Sequence, residues 1–201
     1  MKVFKKVLRF TWLSTVLFAV LTIFSVVWAQ EIVVGMITPV SGPLAFGGNE
    51  MKNGVTFAIE KKGTLFGKPI KLVVGDSPDP TAGVAELERL VNQHSVKIVF
   101  AGYGSGIEGA VQKATERHKV LYLGLASWAD FLTQGGLRYY FRWTPPVSKY
   151  AKTFAEEVLK VGKEHLKKSP KELRIGLIHS DGTAPFADPI QKYLKERIST
   201  H

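Results

Sequence analysis

Hydrophobic residues are concentrated in short, continuous runs that recur along the chain and are separated by longer amphipathic stretches. The runs are rich in valine, isoleucine and leucine, which is typical of strands buried on both faces of a parallel sheet. They predict strands at 31–37 (EIVVGMI), 70–75 (IKLVVG), 96–101 (VKIVFA), 120–125 (VLYLGL) and 173–178 (LRIGLI).

The stretches between these runs have the periodicity and the end signals of helices. Asp79 can cap a helix that begins at Pro80, where proline is favoured. The alternation of strand and helix predicts an α/β fold with a doubly wound, Rossmann-like parallel sheet. Thr144, Pro145 and Pro146 interrupt the pattern, so we expect the chain to cross to a second domain there. Helices are predicted at about 49–62, 81–93, 106–118, 147–168 and 188–199.

The N-terminus has the pattern of a secretory signal. Residues 1–9 carry four basic side chains and no acid, and residues 10–28 are uncharged. Val27 and Ala29 fit the small-residue cleavage rule, which predicts a signal peptide over 1–29, a mature chain from Gln30 and a periplasmic or other extracytoplasmic location. An uncleaved signal anchor is the alternative, because about 20 apolar residues can span a bilayer.

Composition excludes several functional classes. The 201-residue chain has no cysteine, which excludes disulfides, cysteine-ligated metals, thiol nucleophiles and a lipoprotein anchor. Its formal net charge is +10, but four of its 27 basic residues lie in the N-terminal segment and the rest are scattered. Scattered lysines indicate solvated helix faces rather than a nucleic-acid partner.

Candidate chemistry lies in the loops after the predicted strands, because ligands of open α/β sheets bind at the carboxyl ends of strands. Three such loops can be identified, at 38–48, 102–106 and 126–130. In the second of them, Gly104 leaves the backbone uncovered, Ser105 supplies a hydroxyl, and a helix follows at once. The free N–H groups of a helix start suit a carboxylate or a phosphate. A glycine-rich helix start without a ligand remains the alternative.

Two other interpretations of this loop fail. Gly104, Gly106 and Gly109 have the spacing of a dinucleotide fingerprint, but they follow the third predicted strand and no acid ends the next strand. A nucleophile elbow needs glycine where Tyr103 and Ile107 stand. The five histidines show no metal-ligand spacing. We therefore predict no enzymatic activity, no cofactor and no metal.

Four segments together resemble one family. They are IVVGMITPVSGPLAFGGNEMKNGVTFAIE, LFGKPIKLVVGDSPDPTAGVAELERLV, FAGYGSGIEGAVQKATERHKVLYLG and RYYFRWTPP. In this order they are similar to the periplasmic substrate-binding proteins of branched-chain amino acid type ABC transporters, which are type I periplasmic binding proteins. The resemblance implies two Rossmann-like lobes, a small ligand held between them, and delivery of that ligand to a membrane permease by a monomeric protein.

The resemblance also implies ligand-binding roles for individual residues. Ser105, with Gly104 before it, matches the serine whose hydroxyl and backbone N–H bind the ligand carboxylate, and Ala126 and Trp128 match positions whose N–H groups complete that site. Phe46 resembles an aromatic residue beside the ligand side chain. Phe186 resembles an aromatic residue contributed by the second lobe.

Other features leave the ligand open. Trp128 stands where amino acid binders often have threonine, which removes a hydroxyl and adds bulk. The resemblance implies that the acidic residue for a ligand ammonium belongs to a later part of the second lobe than these 201 residues include. An amino acid, an amide or another small carboxylate therefore stays possible. We expect a first lobe over 30–145 and an incomplete second lobe over 146–201. A ligand-binding sensor domain with the same fold is the alternative to a transport protein.

Overall fold

The computed structural model describes residues 31–179 and 184–199, so the predicted signal peptide lies outside the described residues. Within these ranges the strands are Ile32–Thr38 (β1), Thr64–Leu65 (β2), Lys68–Asp76 (β3), Ile98–Ala101 (β4), Leu121–Gly124 (β5) and Tyr140–Arg142 (β6). The α-helices are Ala45–Lys62 (α1), Pro80–His94 (α2), Ser105–His118 (α3), Val147–Glu164 (α4) and Ala184–Ser199 (α5). Short 3₁₀ helices lie at Asp130–Thr133 and Pro170–Glu172.

The strands form one sheet in the order β2-β3-β1-β4-β5-β6. All neighbours pair in parallel except β2, which is antiparallel to β3. The chain moves outward from β1 to β3 and then returns past β1 to β4, so right-handed crossovers place α1 and α2 on opposite faces. α2 and α3 pack against each other. This is the predicted α/β architecture, and the strand order reverses between β1 and β4.

The core is centred on β1 and β4 and on the helices that cover them. Met36, Leu87, Leu90, Val99 and Val111 are fully buried. Buried aliphatic side chains of this size each contribute about 1.5–3 kcal/mol relative to exposure. The apolar runs of the sequence therefore form the core, as their continuity predicts for strands covered on both faces.

The end of the first β-α-β unit confirms the predicted helix start. Asp79 has an extended backbone and accepts a hydrogen bond from the Ala82 N–H at 2.9 Å, while Pro80 is the first helical residue. Proline costs nothing there, because the first turn of a helix has no internal acceptor for its N–H groups. The side chain of Asp79 is thereby assigned to a helix cap.

The prediction of a strand at 173–178 is wrong in the described structure. Residues 173–179 belong to no strand or helix, and Ile175, Leu177 and Ile178 are exposed. A strand needs a paired neighbour, and none of the described strand pairings includes residues 173–178. The apolar run thus has β-propensity without a described partner.

Candidate functional site

The loop after β1 is held in place by a carboxylate from the neighbouring strand. Asp76, the last residue of β3, accepts hydrogen bonds from the Val40 N–H at 2.8 Å and from the Ser41 hydroxyl at 2.6 Å. Burial raises the pKa of Asp76, but the hydrogen bonds from Ser41, Val40 and Ser77 outweigh it and hold the pKa below its ordinary value. Asp76 is therefore ionised, and its hydrogen bonds hold the loop after β1 against the end of β3.

The loop after β4 ends at the start of α3, beside the point where the strand order reverses. Gly104 has φ +107°, a conformation that a side chain would strain, and Ser105 is the first residue of the helix. The first N–H groups of a helix have no acceptor within the helix, and the helix dipole adds positive potential. The first N–H groups of α3 and the Ser105 hydroxyl, here termed the anion cradle, therefore lie at the start of a helix, as the sequence predicts.

The structure brings Ser105 against the loop after β5. The Ser105 Oγ accepts a hydrogen bond from the Ala129 N–H at 3.3 Å. A hydroxyl that accepts one hydrogen bond still has its own hydrogen to donate. The predicted carboxylate-binding residues Ser105, Ala126 and Trp128 therefore lie on two segments that contact each other, 24 positions apart in sequence at this hydrogen bond.

Trp128 belongs to this loop and contacts the start of α4. Its carbonyl oxygen accepts a hydrogen bond from the Val147 N–H at 2.7 Å. Its ring stacks on Tyr150, with centroids 4.4 Å apart and planes inclined by 7°. Stacked aromatic pairs contribute about 0.5–1.5 kcal/mol beyond their buried area. The sequence alone did not reveal this stack beside the loop after β5, because Tyr150 lies 22 residues from Trp128.

Phe46, the aromatic residue predicted as a ligand contact from the first loop, belongs to a helix and is exposed. Phe46 lies in the first turn of α1 with 84% of its surface exposed, so no described side chain covers it. Tyr103, which the sequence did not single out as a ligand residue, lies over Gly47, where an added Cβ would come 2.9 Å from its ring. Phe186 belongs to α5, but its side chain lies outside the described residues.

A buried polar network joins the first turn of α3 to β6, and the sequence analysis did not predict it. The Tyr140 hydroxyl donates to Glu108 Oε1 at 2.5 Å, and both side chains are buried. Burial raises the pKa of Glu108 to about 7, against the lowering influence of the Ser127 and Tyr140 hydroxyls and of Arg142. The sequence offered one indication of this burial: Glu108 stands between Ile107 and Gly109, and all three residues are buried in the structure.

Residues 31–179 and 184–199 contain no cluster of three or more histidine, aspartate or glutamate side chains that could hold a metal ion. None of their helices is long and apolar enough to cross a membrane.

Comparison with known proteins identifies the fold and its relatives. The model of the periplasmic binding protein family matches residues 31–198. Leu/Ile/Val-binding protein homolog 7 of Brucella suis is 32% identical over 173 residues, which cover 84% of this chain and 43% of that protein. Leu/Ile/Val-binding protein homolog 8 of Brucella abortus is 30% identical over 165 residues, which cover 81% and 41%. The chain thus spans less than half the length of these relatives.

Solved structures agree on the fold. The substrate-binding protein LivJ of Streptococcus pneumoniae, in complex with isoleucine, superposes with a TM-score of 0.69 at 23% identity, over 83% of this chain and 46% of that one. A solute-binding protein of an ABC transporter from Rhodopseudomonas palustris, in complex with 3,4-dihydroxybenzoic acid, gives 0.72 at 20% identity, over 85% and 44%. The match of the family model to nearly all of the described residues, with these relatives, shows that the chain belongs to the periplasmic binding protein family.

Proposed function

We propose that this chain forms the ligand-binding lobe of an extracytoplasmic solute-binding protein and that it holds the carboxylate of a small ligand at the start of α3. One observation carries the proposal: the Ser105 Oγ lies 3.3 Å from the Ala129 N–H, which joins the helix start to the loop that contains Ala126 and Trp128. We propose that the Ser105 hydroxyl and backbone N–H groups of the two segments bind one carboxylate together. Charge-assisted hydrogen bonds of this kind are about twice as strong as neutral ones.

The aromatic residues of these loops narrow the class of ligand. Trp128, in the loop after β5, stacks on Tyr150, and Tyr103, in the loop after β4, is 42% exposed. We propose that these rings line the ligand site. Flat, apolar walls favour a ligand whose body is aromatic or branched aliphatic. Related structures hold isoleucine and 3,4-dihydroxybenzoic acid, which have a carboxylate in common. We propose that the ligand of this chain is a small carboxylate of one of these two kinds.

Transport is the proposed role of the complete assembly. A ligand bound to one lobe leaves one side in water, so tight binding and delivery to an ABC transporter permease require the second lobe. Phe186 is proposed as a contact from that lobe. We propose a monomeric binding protein, in keeping with the transporter proteins that it resembles.

Ser105→Ala tests the carboxylate site. A thermal-shift screen of amino acids, amides and benzoates first selects a ligand, since binding to the folded state raises the melting temperature. We expect the variant to bind a carboxylate ligand more weakly by on the order of 1–3 kcal/mol, because a hydrogen bond to a charged group is lost. Isothermal calorimetry measures this difference.

Ser169→Ala is the matched control. The Ser169 hydroxyl bonds to Glu172 Oε2 at the 3₁₀ helix after α4, a surface site with no part in the proposed cradle. Its loss should leave the affinity unchanged. Equal affinities of wild type and Ser105→Ala would contradict the proposed role of Ser105 and leave it as a residue of the helix start.

We also propose that the N-terminal segment is a cleaved signal peptide. Val27 and Ala29 satisfy the cleavage rule, so export from a bacterial host should yield a chain that begins at Gln30. Intact-mass spectrometry of the exported fraction measures the product. Recovery from the membrane alone, with residues 1–29 still attached, would favour the signal anchor.

A further inference from the structure

Glu108 lies inside the protein, in the same turn of α3 as Ser105 of the proposed carboxylate site. It is only 2% exposed, and its N–H donates to the Gly104 carbonyl at 3.0 Å. Gly104, Ser105 and Glu108 therefore share the first turn of α3. A buried carboxyl group is costly unless its oxygens are well paired, so its presence here calls for a physical reason.

The pairing of this carboxyl group is one-sided. Tyr140 donates to Oε1 at 2.5 Å, and Gly124 leaves the space for this contact, since an added Cβ would come within 2.6 Å of the Tyr140 hydroxyl oxygen. Oε2 is buried and makes no hydrogen bond with a described residue. The Ser127 Oγ is likewise buried without a hydrogen bond of ordinary length, but it lies near enough to lower the pKa of Glu108. Only Oε1 is therefore held by a short hydrogen bond.

Glu108 is the group in this network that changes charge near neutral pH. The titratable or charged side chains that face it are Tyr122 from β5 and Tyr140 and Arg142 from β6. Burial and the neighbouring carboxyl group raise the pKa of both tyrosines well above their ordinary value. Arg142 keeps its charge and donates to the Ala129 carbonyl at 2.7 Å, so it stabilises the loop as well as the carboxyl group.

Two structural features connect Glu108 to the proposed site. It shares a helical turn with Ser105, and it faces Ser127, which lies between Ala126 and Trp128 in the loop. An ionised Glu108 repels a ligand carboxylate and competes with it for the positive end of α3. The Ser127 hydroxyl can pair with Oε2 in either state, as donor to the carboxylate or as acceptor from the acid, so the charge of Glu108 is what differs between the two states.

We infer that Glu108 modulates the carboxylate site and that its negative charge weakens the binding of an anionic ligand there. The inference rests on the proposed function, because it concerns the same site. It makes ligand capture and release depend on pH, through a group that does not touch the ligand.

Benzoate is a suitable probe, because a carboxylic acid of this kind keeps its charge between about pH 5.5 and about pH 8.5. Isotope-labelled protein is titrated with benzoate, with amide shifts of Ser105 and Ala126 as the binding signal. We expect the affinity to fall on the order of ten-fold as the pH rises across this range. The carboxyl ¹³C shift of Glu108 should titrate near neutral pH, and benzoate should raise its midpoint, since linkage is reciprocal.

Two variants give readouts that a purely structural role would not move. Glu108→Gln keeps an acceptor for Tyr140 without the charge, so benzoate affinity should become independent of pH. Tyr140→Phe removes a hydroxyl that lowers the pKa of Glu108, so the midpoint should shift to higher pH. Should either variant fail to fold, the effect of benzoate on the wild-type Glu108 midpoint decides the question.

The outcomes separate this inference from the proposed function. Benzoate binding whose affinity does not change with pH, or a Glu108 midpoint that benzoate does not move, overturns the role of Glu108 and leaves the carboxylate site standing. Unchanged Ser105 and Ala126 amides at every pH overturn the carboxylate site itself and the inference with it.

Discussion

Gly48→Ala should destabilise the protein by about 3 kcal/mol, at the upper end of the cost of overpacking a core. Gly48 is buried in the first turns of α1, and an added methyl group would overlap the Pro39 carbonyl oxygen and come within 2.6 Å of the Pro39 carbonyl carbon. The obstacle is backbone rather than a flexible side chain. The Gly48 carbonyl also accepts the Thr38 hydroxyl at 3.1 Å, so any shift of the helix loses that bond.

Gly54→Ala is a control in the same helix. A Cβ at Gly54 would meet no atom within 4 Å, so helix propensity alone should act and stabilise the protein by about 0.5–1 kcal/mol. Differential scanning calorimetry should show the two variants on opposite sides of wild type, with Gly48→Ala about 6–12 °C lower. A change of less than 1 °C in Gly48→Ala would mean that the loop after β1 yields to the methyl group and is not fixed as described.

The predicted architecture followed from local pattern, and local pattern explains where it succeeded. The run that became β1 is apolar on both faces, and the structure covers both faces of that strand. The Asp79–Pro80 start of α2 needs nothing beyond two adjacent residues. Such features are encoded within a few positions of the chain, so a single sequence suffices to find them.

Features that need a distant partner were not predictable in this way. The run at 173–178 resembles β1 in composition, but strand formation depends on a neighbour that sequence pattern cannot supply. Conversely, Tyr140–Arg142 does form a strand, because its pairing with β5 supplies the partner. Its aromatic residues, followed closely by prolines, gave no sign of an edge strand.

The same distinction between local and distant features applies to the candidate site. The loops after β1, β4 and β5 could be located, since the carboxyl ends of parallel strands meet at one edge of a sheet. The contact of Ser105 with Ala129 is a consequence of that rule. The Trp128–Tyr150 stack and the burial of Glu108 depend on side-chain packing across separate elements, and neither has a local signature.

The burial of Glu108 should make the stability of the protein fall as the pH rises through the acidic range. Its pKa is raised from 4.5 to about 7 in the folded chain, mainly by burial, so the folded state binds more protons than the unfolded state between these values. The free energy of unfolding therefore decreases from about pH 4.5 to about pH 7, by on the order of 3 kcal/mol. Urea denaturation at a series of pH values measures this slope.

Glu108→Gln should flatten the profile, because its amide is neutral at every pH and its oxygen can still accept the Tyr140 hydroxyl. The variant should consequently be more stable than wild type at about pH 8 and lose that advantage near pH 5. Glu60→Gln, an exposed change on α1, should follow the wild-type profile. Asp76 does not obscure the result, because its pKa is lowered from 3.8 and its contribution is lost only in more acidic solution. Parallel profiles for wild type and Glu108→Gln would show that Glu108 stays ionised in the fold, through a rearrangement that brings solvent or a cation to Oε2.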